Sequence, residues 1–127
     1  MFAFKIEKAQ WRYVTVSEYI YYTGIGLKHT VGNGFIWLLA DNGALVISKS
    51  YAWDGPSGPT IDTPDFMRAS LVHDAMYQLM REGYISKDYR KRADDMFFKI
   101  LRQDKMPWIR AAYSWLAVRL FGWVSFL

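Results

Sequence analysis

The stretch Trp53-Asp54-Gly55-Pro56-Ser57-Gly58-Pro59 constrains this chain most strongly. Two glycines and two prolines within six residues cannot extend a strand ladder or a helix. Proline lacks the backbone donor, and both residue types favour turns. The patterns on its two sides differ. Before it, β-branched and aromatic residues alternate; after it, apolar residues recur three and four apart. The chain must therefore change from strand to helix here. This divides it into a β-rich part (residues 1–50), a Gly/Pro-rich crossover loop (51–63) and a helical part (64–127). At 127 residues the length suits a single domain. The fold class expected is α+β: a small N-terminal antiparallel sheet, the crossover loop, and then three helices.

Within the β-rich part, Trp11, Tyr13, Thr15 and Ser17 alternate with Arg12, Val14 and Val16, which predicts a strand. Tyr19–Tyr22 is a second short strand, stopped by Gly24 and Gly26. Phe35–Leu39 and Ala44–Ser48 flank Asp41-Asn42-Gly43, and Asn-Gly between apolar runs is a strong hairpin signal. His29 lies in a polar loop and reads as solvated.

The first helix has clear punctuation. Thr63 suits the N-cap, Pro64 the first helical position and Asp65 the positive end of the dipole, while Gly83 suits the stop. At 100° per residue, Ala69, Val72, His73, Met76, Tyr77 and Met80 share a face, with Asp74 at its edge. Ser86 is expected to cap the second helix, whose apolar face is Tyr89, Ala93, Met96, Phe97, Ile100 and Leu101. Asp94 falls at the flank of that face and Asp95 points to water. Pro107 opens a third helix, Trp108 to about Phe121. Its Arg110, Ser114 and Arg119 do not share one face, so it either packs in the core, the simpler reading, or lies against an apolar partner. The tail beyond it is too short, and too broken by Arg119, to span a membrane.

Composition narrows the chemistry. There are no cysteines, which excludes disulfides and thiolate metal sites. Aromatic residues make up 18% of the chain, which demands either an aromatic core or an apolar surface that meets something. A net charge of +4 suits an anionic partner without selecting one. Charges interrupt Met1–Glu7 where a signal peptide needs its apolar run, so a cytoplasmic protein is expected. No Gly-rich phosphate loop and no Gly-x-Ser-x-Gly elbow is present. His73, inward on a helix beside a carboxylate, can act as a general base, and a metal beside it would stabilise an oxyanion. The loop carbonyls together with Asp54 suit a hard cation. The plainer readings are a hydrogen-bonded core histidine and a connecting turn.

Three segments resemble a phage and prophage family of unknown function: Asp54-Gly55-Pro56-Ser57-Gly58-Pro59, Ala69-Ser70-Leu71-Val72-His73-Asp74-Ala75-Met76-Tyr77 and Ala93-Asp94-Asp95-Met96-Phe97. His-Asp-x-x-Tyr followed by Ala-Asp-x-x-Phe also resembles, more distantly, the phospholipase A2 superfamily, above all its cysteine-poor type in parvovirus capsids. That resemblance implies an antiparallel helix pair and an esterase. In it His73 is the base that activates water, Asp94 orients the histidine and Tyr77 supports that Asp. Asp74 is implied as a calcium ligand, with Asp54, Gly55, Ser57 and Gly58 in the metal-binding loop. The implied partner is a phospholipid surface, or a host or virion protein, met by the aromatic C-terminal segment; nucleic acid is not expected. The implied location is the cytoplasm of an infected host, at the membrane periphery or with the virion. The alternative is a non-catalytic phage accessory protein that uses the same fold to bind a host or virion partner, or a small molecule.

Overall fold

A computed structural model describes residues 2–7, 12–53 and 64–127. The architecture is α+β, with antiparallel sheet first and three helices after it. The chain divides into two compact units, residues 1–57 and 58–127.

Among its described residues the first unit holds two antiparallel sheets where one was expected. Strands β1 (Phe4–Glu7), β2 (Arg12–Thr15) and β7 (Ala52–Trp53) form one, in the order β1-β2-β7. Strands β3 (Tyr19–Tyr22), β4 (Val31–Gly32), β5 (Ile36–Leu38) and β6 (Ala44–Ile47) form the other, in the order β3-β6-β5-β4. The split falls at Ser17–Glu18, between β2 and β3. The Asn-Gly hairpin forms as its residues predict: Trp37 pairs with Val46, Asn42 accepts from the Ala44 amide, and Gly43 takes φ +69°. A side chain at Gly43 would meet the Ile25 backbone at 2.8 Å, so glycine is required there on two counts. Part of the aromatic excess is spent on the first sheet, where Phe2, Phe4, Tyr13 and Trp53 meet edge-on or tilted at 5.4–6.4 Å. Strand β7 also shows that the segment read as crossover loop begins with paired backbone. His29 is exposed.

The second unit contains α1 (Pro64–Arg81), α2 (Arg90–Gln103) and α3 (Trp108–Phe121). Helix α1 is buried more widely than one face: Phe66, Met67, Ser70, Leu71, Ala75 and Leu79 join the six residues projected inward. Gly83, at φ +82°, ends it as expected, with the Gly83 and Tyr84 amides returning to Met80 and Leu79. Thr63, the predicted N-cap, lies outside the described residues. Ser86 caps a short 3-10 turn, Lys87–Tyr89, rather than α2 itself, which starts at Arg90. The turn absorbs the capping signal because Ser86 Oγ accepts from the Asp88 amide, two residues on. Helices α1 and α2 run antiparallel. Near the start of α1, Arg68 forks onto Asp104 and Gln103 past and at the end of α2; near its close, Tyr77 reaches Arg90 and Asp94 at the start of α2.

Helix α3 corrects the core-packing expectation. Only Ala111 and Ser114 of it are buried, whereas Ile109, Tyr113, Leu116, Leu120 and Phe121 are exposed. A 3-10 segment, Gly122–Phe126, follows it and folds back on α1 through Tyr77, whose ring stacks on Phe126 at 5.2 Å.

Candidate functional site

The four-residue spacing of His73 and Tyr77 brings their rings together on α1, with centroids 4.2 Å apart. Opposite them, α2 presents Asp94, which has no exposure to solvent. One carboxylate oxygen of Asp94 accepts from both rings: His73 Nε2 lies 2.7 Å from Oδ1 and the Tyr77 hydroxyl 2.6 Å from it. The other oxygen accepts from Arg119 Nη1 of α3 at 2.8 Å. Arg90, one turn before Asp94 on α2, donates from Nε to the Tyr77 hydroxyl at 3.2 Å. Its Nη2 donates to the carbonyls of Val118 and Arg119. Asp94 is thus a buried anion that ties together all three helices, and the cationic partners compensate its loss of hydration.

This wiring settles the histidine tautomer. An ionised carboxylate can only accept, so His73 Nε2 carries a proton and donates it. In the neutral ring Nδ1 is then the free base. It lies 3.9 Å from Asp74 Oδ1, beyond hydrogen-bond range but within strong charge contact. The His73 side chain is 10% exposed, whereas that of Asp74 is 38% exposed. Burial alone would lower the His73 pKa, but the carboxylates of Asp74 and Asp94 together outweigh it and hold the pKa above its ordinary value. Tyr77 is pushed well above the ordinary phenol range, first by burial and then by the Asp94 charge, so its hydroxyl is a fixed donor.

His73, Tyr77 and Asp94 therefore come together, with Asp74 beside them at the more open side. Asp54, Gly55, Ser57 and Gly58 lie outside the described residues. Among the described residues, no three His, Cys, Asp or Glu side chains gather to hold a metal. A depression lined by Pro64, Asp65, Gln103, Asp104, Lys105 and Arg110 lies at the far end of the α1–α2 pair from Tyr77, and does not serve this cluster.

Three participants escaped the sequence reading. Arg90 had a weak signal, its i,i+4 spacing to Asp94. Arg119 was read as one of three polar residues of the third helix that share no face and as a charge that breaks the apolar tail; a cation in so apolar a helix is itself a pointer to a buried acid. Gly122 allows the chain to pass Tyr77, since a Cβ there would stand 2.5 Å from the hydroxyl. Asp95 is not simply solvated: it accepts from Lys91 and from the Trp115 indole at 2.9 Å, tying α2 to α3. Burial works against its charge, but these two donors outweigh that and lower its pKa.

No curated protein and no solved structure matches the chain. A family model does match, over residues 41–118, more than half of the sequence. The matched span holds His73, Asp74, Tyr77, Arg90 and Asp94, and stops one residue before Arg119. The chain belongs to the DUF1353 family of proteins of unknown function.

Proposed function

We propose that this protein is a phage-encoded, phospholipase A2-like esterase that directs water onto a lipid ester. One observation carries the reading. Asp94, fully buried, holds His73 by Nε2 and leaves Nδ1 as the basic atom on the side of partly exposed Asp74. In the reaction, Nδ1 takes a proton from water as its oxygen attacks the ester carbonyl. The tetrahedral intermediate collapses, the C–O bond to the alcohol breaks, and the proton on Nδ1 passes to the departing alkoxide. Asp94 stabilises the imidazolium that exists between those two transfers, while Tyr77 and Arg119 keep Asp94 in place.

Calcium belongs to the reading through Asp74. It takes about six to eight oxygen ligands, so Asp74 alone does not make a site, and the loop residues implied as further ligands are outside the described set. When bound, calcium would supply positive charge for the oxyanion. The test is phospholipid hydrolysis with and without calcium, comparing wild type with His73→Ala. Turnover that the substitution abolishes is expected. Wild-type protein with no activity on any ester and no bound metal would falsify the proposal.

The low exposure of His73 favours a second reading, in which the network only ties the helices together. The protein would then be a non-catalytic accessory that binds a host or virion partner. Wild-type stability lost in His73→Ala, with no hydrolysis by either protein, is the outcome that selects it.

A further inference from the structure

Ile109, Tyr113, Leu116 and Leu120 fall four, three and four residues apart on α3, and so form one stripe. They are 77, 65, 49 and 55% exposed. Trp108 stands exposed at the opening end of the helix, and Phe121, Trp123 and Leu127 are exposed at or beyond its close. Both arginines of the helix are engaged elsewhere: Arg110 lies over the Phe66 ring and near Asp65, and Arg119 binds Asp94. Four aromatic side chains of about 150–250 Å² each, half to about two-thirds exposed, together with these four aliphatic ones, leave on the order of 1,000 Å² of apolar surface. The largest apolar patch on an ordinary monomer is about 300–600 Å².

We propose that this face docks on an anionic phospholipid surface. This deepens the lipid-ester reading, on which its choice of lipid rests, but its observations are separate. Charge selects the occupant. The exposed lysines Lys105, ahead of the helix, and Lys87, beside the segment that follows it, stand at the two ends of this face, and no acidic residue lies between Lys105 and Leu127 in the sequence. At the far end Lys87 sits 5.4 Å over the Phe126 ring. Apolar and aromatic residues with an exposed lysine at each end match a bilayer interface with negative headgroups. Trp108 and Trp123, near the two ends, are of the residue type that prefers the headgroup level. No helix among the described residues is long and apolar enough to cross a membrane, so α3 would lie on the surface. A second copy of the chain could cover the stripe, but would bring more positive charge to the basic margin rather than less.

The test uses the full chain and vesicles of ether-linked phospholipid, which contain no ester to hydrolyse. The protein should co-sediment with vesicles containing phosphatidylglycerol, with a blue shift of Trp emission. Binding should be at least about tenfold weaker on phosphatidylcholine alone, since each basic group near an anionic surface contributes measurably. The double substitution Leu116→Asp and Leu120→Asp should weaken it at least as much without changing the circular dichroism, because both side chains are exposed; Trp123→Ser is the independent second variant. Binding to neither vesicle, or binding that ignores all three substitutions, overturns the proposal. So does a dimer in sedimentation equilibrium that the substitutions dissociate while vesicles are ignored. Ether-lipid binding with no hydrolysis of ester vesicles leaves docking in place and removes the esterase.

Discussion

The two sides of the helical unit each hold something that usually lies on the other. On the inner side, α1 and α2 bury a carboxylate, an imidazole and a phenol, with two guanidinium groups closing the network. On the outer side, α3 shows solvent a stripe of isoleucine, tyrosine and leucine. The same helix belongs to both, since Arg119 faces Asp94 while Leu116 and Leu120 face outward. The contrast teaches that a carboxylate can sit within an apolar core when its charge is compensated there. An apolar helix can remain half-covered when its one inward arginine has a buried acid to meet.

The largest effect should come from breaking the inner side at its centre. Asp94→Ala leaves Arg119, His73 and Tyr77 without their acceptor and should cost about 3–5 kcal/mol in chemical denaturation. Arg119→Leu should cost less, about 2 kcal/mol, since Asp94 keeps its bonds to His73 and Tyr77. Retention of full stability by either variant would show that the network does not hold the helices. Gly122→Ala, which crowds the Tyr77 hydroxyl, should cost about 1–2 kcal/mol through displacement of that ring. A thermal melt alongside Tyr77→Phe would show whether the clash acts through the hydroxyl.

A smaller effect follows from pH. The folded-state pKa of His73 is raised, so its protonated form is favoured in the folded chain. The stability this contributes is fully present below the unfolded value of 6.5 and is lost as pH rises through the higher folded value. Hydrolysis that needs the neutral ring should rise over that same upper window. Comparing melting temperature against pH for wild type and His73→Gln isolates the term; identical profiles would remove it. On the outer side, Leu116→Asp should change stability by no more than about 0.5 kcal/mol, since the side chain already meets water. A large loss there would mean that the stripe is covered within the folded chain.

Periodicity made much of the site legible. A spacing of four placed His73 and Tyr77 on one inward face, and projection separated Asp94 from Asp95. Gly83, Pro107 and Asn42-Gly43 announced a helix end, a helix start and a hairpin, because each acts through its own backbone. Arg119 was not legible in the same way: its partner is 25 residues away in sequence and on another helix. The division of the strands between two sheets was equally hidden, since pairing partners are chosen across the chain.

By itself, then, the amino-acid order determined the α+β class, the stop of α1 at Gly83, the start of α3 after Pro107 and the inward pair on α1, all of them consequences of local backbone chemistry and side-chain period. Tertiary structure alone decided which side of α3 would face inward. A helix that is apolar on most sides carries no strong directional preference of its own. Its orientation is fixed by contacts with residues distant in sequence: Arg119 on buried Asp94, the Trp115 indole on Asp95 and Arg110 over the Phe66 ring.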